Sequence, residues 1–97
     1  MTKELQNNQL EEYQYIPLDD NDGYFYTYDL GCSSALITAG FELVSLDKVN
    51  PKKVQFIFSR TTGIEKAVND YWADHLEVKA RALFDNVKML KNRIYSE

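Results

Sequence analysis

Cys32 and His75 are the only thiol and the only imidazole in the sequence, so they are the one pair that could act as nucleophile and base. Covalent catalysis would need them adjacent in space, with a third group orienting the imidazole. Nothing in their spacing brings them together. Cys32 reads as a small hydrophobe on a helix face, and His75 as a solvated or interhelical residue. One cysteine and one histidine cannot furnish a zinc site. Asp19-Asp20-Asn21-Asp22-Gly23 looks at first like a calcium loop. With the glycine at position six, however, position one is Leu18 and position twelve is Asp29 instead of glutamate, so it reads as an acidic turn. The four glycines are isolated and form no phosphate-cradling loop. Gly23, Gly40 and Gly63 suit turns or caps, whereas Gly31 has no evident local role. Paired carboxylates for acid–base work are not evident after residue 22. The expectation is a protein that is not an enzyme, with no catalytic residue, metal or cofactor.

Two other sets of residues could hold a macromolecule. The first is acidic and tyrosine-bearing: Glu11, Glu12, Tyr13, Tyr15, Asp19, Asp20 and Asp22. Residues 1–22 carry one lysine against six carboxylates, a net −5, while the whole chain carries −4. The rest is therefore almost neutral. Acidic surfaces can mimic nucleic acid toward a basic protein groove. The second set is an aromatic strand, Tyr24, Tyr26 and Tyr28, with Lys48, Lys52 and Lys53 in a hairpin loop. Such strands can stack bases while lysines meet phosphates. Cross-strand packing beside a solvated turn is the plainer account, and a near-neutral body is a poor general phosphate binder.

The elements that must position these residues follow from local signals. Residues 1–22 form an acidic N-terminal segment, expected to be partly disordered, in which Pro17 disfavours a central strand. Residues 23–97 form one α+β domain. Tyr24 to Tyr28 is a strand with Phe25 and Thr27 on one face and the tyrosines on the other. Asp29 is a good N-cap for a helix from Leu30 to Ala39, with Gly40 at its C′ position. Phe41–Leu46 and Lys53–Ser59 read as a hairpin around Asn50-Pro51. Thr62-Gly63-Ile64-Glu65 has the capping-box pattern. Leu76, Ala80, Leu83, Val87, Leu90 and Ile94 recur at helical spacing, with a break expected near Ala73–Val78. The predicted order is β-α-β-β-α-α, a three-stranded, largely antiparallel sheet packed by helices.

Several local signatures together resemble a known family: Tyr26-Thr27-Tyr28-Asp29-Leu30, Ala39-Gly40-Phe41, Val54 to Phe58, Asp70-Tyr71-Trp72, and Lys88 through Tyr95. This family comprises small uncharacterised proteins of phages and mobile elements that carry a domain of unknown function. The resemblance covers about residues 24–95. It implies genomic context and carries over no functional residues.

A non-enzymatic interaction protein is expected, one that binds and modulates a host or phage macromolecule such as a host-defence or regulatory complex. A host or phage protein is the leading partner. A nucleic-acid-binding accessory domain is the first alternative, and a small-ligand (nucleotide) binder at a dimer interface is the second. The apolar stripe of the C-terminal helix could also pair two copies into a homodimer. The start Met1-Thr2-Lys3-Glu4 has neither the basic opening nor the apolar run of a signal peptide. No run is long enough to span a bilayer, and no disulfide can form within the chain. The expected location is the host cytoplasm, with no membrane partner.

Overall fold

The structure, a computed structural model, describes residues 23–50 and 52–96. The first strand, β1 (Tyr24–Thr27), owes its position to alternation. Phe25 is buried, while Tyr24 on the opposite face is exposed. Asp29 then starts α1 (Leu30–Thr38): its Oδ2 accepts from the Cys32 N–H at 2.8 Å. Gly40, with φ +107°, ends the helix in the left-handed conformation that glycine adopts without a β-carbon penalty. The Gly40 N–H donates to the Ile37 carbonyl and the Phe41 N–H to the Leu36 carbonyl, each at 3.0 Å. This is the paired closure of a Schellman motif.

Strands β2 (Leu43–Asp47) and β3 (Gln55–Ser59) form the expected hairpin. The sheet order is β1-β3-β2, with β3 central and antiparallel to both neighbours. Strands β1 and β2 are therefore parallel to each other, and α1 makes the crossover between them. The alternation expected through β2 breaks at Val44, where the register against β3 shifts. One extra residue there lets Leu43 oppose Phe58 and Leu46 oppose Phe56, so both leucines fall on the same face.

Helix α2 (Ile64–Trp72) does not start as the capping box predicted. Its N-cap is Gly63, and no side chain caps it. Glu65 is drawn instead to the Arg60 guanidinium. The break expected near Ala73–Val78 is present, and α3 (Ala80–Tyr95) follows it. Asp74 closes α2 with a positive φ of 62°. The His75 N–H donates to Asp70 O at 2.7 Å and the Asp74 N–H to Tyr71 O at 3.0 Å. This second Schellman closure is made without glycine.

The core joins Phe25, Phe56 and Phe58 from the sheet to Cys32 and Leu36 of α1, Ile64 and Ala67 of α2, and Leu90 of α3. All of these sheet residues lie on one face, so the helices pack on that face. Helix α1 is the hub. Residues 32–36 are buried, including Ser33 and Ser34, and both α2 and α3 pack against it. Asn86 of α3 donates to the Thr38 hydroxyl at 2.9 Å across that contact. Of the apolar stripe of α3, Leu90 is buried in the core and Ile94 packs against it, while Leu83 and Val87 are half-buried. Among the described residues, no helix is long and apolar enough to cross a membrane.

Candidate functional site

The face of the sheet opposite the helices carries the tyrosines. Tyr24 opposes Ser59 and Tyr26 opposes Ile57, on the side away from Phe25 and Phe58. The Arg60 N–H donates to the Gly23 carbonyl at 2.8 Å, which makes that pair a hydrogen-bonded one. By the alternation of an antiparallel ladder, Phe25 and Thr27 aim their main-chain groups at β3, while Tyr24 and Tyr26 aim theirs at the sheet edge. The Arg60 side chain wraps that edge. Its Nε donates to the Tyr24 carbonyl at 3.3 Å, its guanidinium lies 6.0 Å from the Phe25 ring centroid, and it pairs with Glu65. The Tyr24 and Tyr26 rings sit 6.4 Å apart and are tilted by 58°. Tyr28, just past the strand, is 52% exposed, and the Lys53 ammonium lies 4.8 Å from its ring centroid.

Of the six residues expected to form an aromatic and basic patch, Tyr24 meets Tyr26 and Lys53 meets Tyr28, as two separate pairs. Lys52 is exposed beside Lys53 at the entry to β3. Lys48 goes elsewhere. Its Nζ donates to the Arg93 carbonyl at 2.9 Å and the Ser96 carbonyl at 2.8 Å, so it caps the C-terminus of α3. There it satisfies carbonyls that the helix leaves open and sits at the negative end of its dipole. The acidic set, Glu11, Glu12, Tyr13, Tyr15, Asp19, Asp20 and Asp22, lies outside the described residues, as does the calcium-like run up to Gly23. That segment joins the fold at Gly23, at the start of β1.

Cys32 and His75 are not brought into a catalytic pair. Cys32 is buried in the core and His75 is exposed beyond the end of α2. Burial, with a smaller contribution from the Asp29 carboxylate, pushes the Cys32 thiol up to about 12. A thiol held protonated is a poor nucleophile.

One feature escaped the sequence. A β-carbon at Gly31 would collide with the Tyr71 hydroxyl, with Asp29 Oδ2 also close by. Gly31 therefore leaves room for the Tyr71 hydroxyl of α2 against the first turn of α1. Burial raises the Tyr71 phenol, with Asp29 and Cys32 adding to the shift. No local signal marks this contact, because its partners lie on separate helices.

A family model described as a domain of unknown function (DUF5659) matches residues 22–96. The chain belongs to the DUF5659 family. The DUF5659 match begins one residue before Gly23, so it spans the whole described fold and leaves nearly all of the acidic segment outside. No curated protein and no solved structure matches the chain.

Proposed function

We propose that this DUF5659 protein is a non-enzymatic interaction protein of phage or mobile-element origin. It binds and modulates a protein of the host or phage, in the host cytoplasm. The observation that carries this reading is the division of labour in the sheet: one face is given to the helices and the other carries Tyr24 and Tyr26 beside Ile57. Tyrosine is enriched at protein interfaces because it offers a broad apolar ring with a polar tip at low entropic cost. The acidic, tyrosine-bearing residues 11–22 immediately precede Gly23 and β1 in the sequence.

The test is native mass spectrometry of the tagged full chain purified gently from infected or host cells, beside a Tyr26→Ser/Tyr28→Ala variant. A protein partner retained by the wild type and lost by the variant is expected. A partner retained equally by both would sink the sheet-face reading. A chain lacking residues 1–22 that keeps every partner would remove the acidic segment from it.

A second reading, nucleic-acid binding, is favoured by the Lys53 ammonium over Tyr28, next to exposed Lys52. It predicts salt-dependent binding to single- or double-stranded probes. A titration at two salt concentrations showing no binding rules it out.

A further inference from the structure

The outward face of α3 carries a second surface, independent of the sheet. Arg81, Phe84, Lys88, Lys91 and Tyr95 follow one another at spacings of three, four, three and four residues, and all five are exposed. Phe84 is 60% and Tyr95 81% exposed, large values for rings of this size. The Lys88 ammonium lies 5.0 Å from the Phe84 ring centroid. No carboxylate of the described residues forms an ion pair with Arg81, Lys88 or Lys91. The opposite face of the same helix holds Leu90, which is fully buried. The stripe is therefore surplus to folding.

The geometry points to a docking seam for an amphipathic helix of a partner protein, one bearing carboxylates and aliphatic side chains in alternation. Three–four spacing keeps residues on one seam against a second helix, as in a coiled coil. At ~1.5 Å per residue the seam runs roughly 21 Å, about two heptads. Carboxylates on the partner meet Arg81, Lys88 and Lys91, whose stems lie along apolar surface while their heads stay wet. Aliphatic side chains meet Phe84 and Tyr95. Two features set this occupant apart from others. A second copy packed antiparallel about a two-fold axis would set Lys88 against Lys88, a like-charge contact that opposes pairing. A nucleic acid would offer a continuous row of phosphates, whereas the basic residues of this seam are only three, Arg81 on one side of Phe84 and Lys88 and Lys91 on the other.

The probe is a fluorescent helical peptide of roughly 21 residues with Glu and Leu alternating along one seam. It is titrated into the full chain by anisotropy. Saturable binding is expected, weakening about tenfold between roughly 50 and 250 mM salt as the charges are screened. Lys88→Glu weakens it at least about tenfold and Phe84→Ala several-fold. Lys66→Glu, an exposed α2 lysine paired with Asp70, leaves it unchanged. Unchanged melting temperatures show that the α3 variants remain folded. The proposal is overturned by absent binding or by binding indifferent to Lys88→Glu. Tighter binding of duplex DNA through the same residues, or a homodimer dissolved by Phe84→Ala, also overturns it.

Discussion

At the scale of single residues, α1 holds three positions whose behaviour is set by the packing around them. The Cys32 thiol has its pKa raised in the fold, so folding favours the protonated form. That contribution is complete below the ordinary thiol value of 9.0 and is lost as pH climbs from there toward about 12. Urea midpoints should fall over this range. Labelling of Cys32 by a thiol reagent at pH 8 should proceed only at the rate of global opening; fast labelling of the native chain would contradict its burial. Ser33 is fully buried, and its hydroxyl has no hydrogen-bond partner among the described residues. An unpaired buried hydroxyl is costly and alanine is the better helix former, so Ser33→Ala should stabilise the protein by about 1 kcal/mol in urea melts. Gly31→Ala should do the opposite. In an open helix this change gains about 1 kcal/mol, but here the new methyl meets the Tyr71 hydroxyl, and a net loss of about 1–2 kcal/mol is expected. Adding Tyr71→Phe should recover most of that loss. Additive effects in the double-mutant cycle would show that the two positions do not meet.

At the scale of elements, the two Schellman closures make a natural comparison. Gly40 ends α1 in the left-handed region without strain, whereas Asp74 does the same work at the end of α2 with a side chain. A non-glycine residue is disfavoured there, and its carboxylate sits at the negative end of the helix dipole. Asp74→Gly should therefore stabilise by about 0.5–1 kcal/mol, raising Tm by several degrees in a chain this small. A lowered Tm would mean that Asp74 makes a compensating contact. Helix α3 relies on a long-range cap instead, the Lys48 ammonium on the Arg93 and Ser96 carbonyls. The sequence placed Lys48 in a basic loop. It could not show that the loop reaches the far end of the last helix.

At the scale of the whole molecule, the sheet has one inner and one outer face, and neighbouring residues in β3 should report it. Phe56 is 1% exposed among the core phenylalanines, while Ile57 next to it faces the tyrosines. Phe56→Ala should cost about 3–5 kcal/mol, a large part of the stability of a domain this size. Ile57→Ala should cost markedly less. Equal losses in urea unfolding would mean that the outer face is as tightly packed as the inner one.

Local chemistry was enough to read most of the architecture. The β-α-β-β-α-α order, the Asp29 cap, the Gly40 stop and the interruption before α3 all rest on interactions within a few residues, which sequence spacing records directly. The same locality exposed the two faces of β1, since alternation is a property of the strand itself. What only the tertiary structure decided is long-range. It set the β1-β3-β2 order, the bulge at Val44, the diversion of Glu65 from a capping box to Arg60, the capping by Lys48, and the close approach of Tyr71 to Gly31. Each of these depends on which distant segment packs alongside, a choice made by burial of the shared core, and side-chain identity at one position does not encode it. The outward stripe of α3 belongs to both. Its spacing is written in the sequence, and the burial of Leu90 in the core fixes which side of α3 faces out.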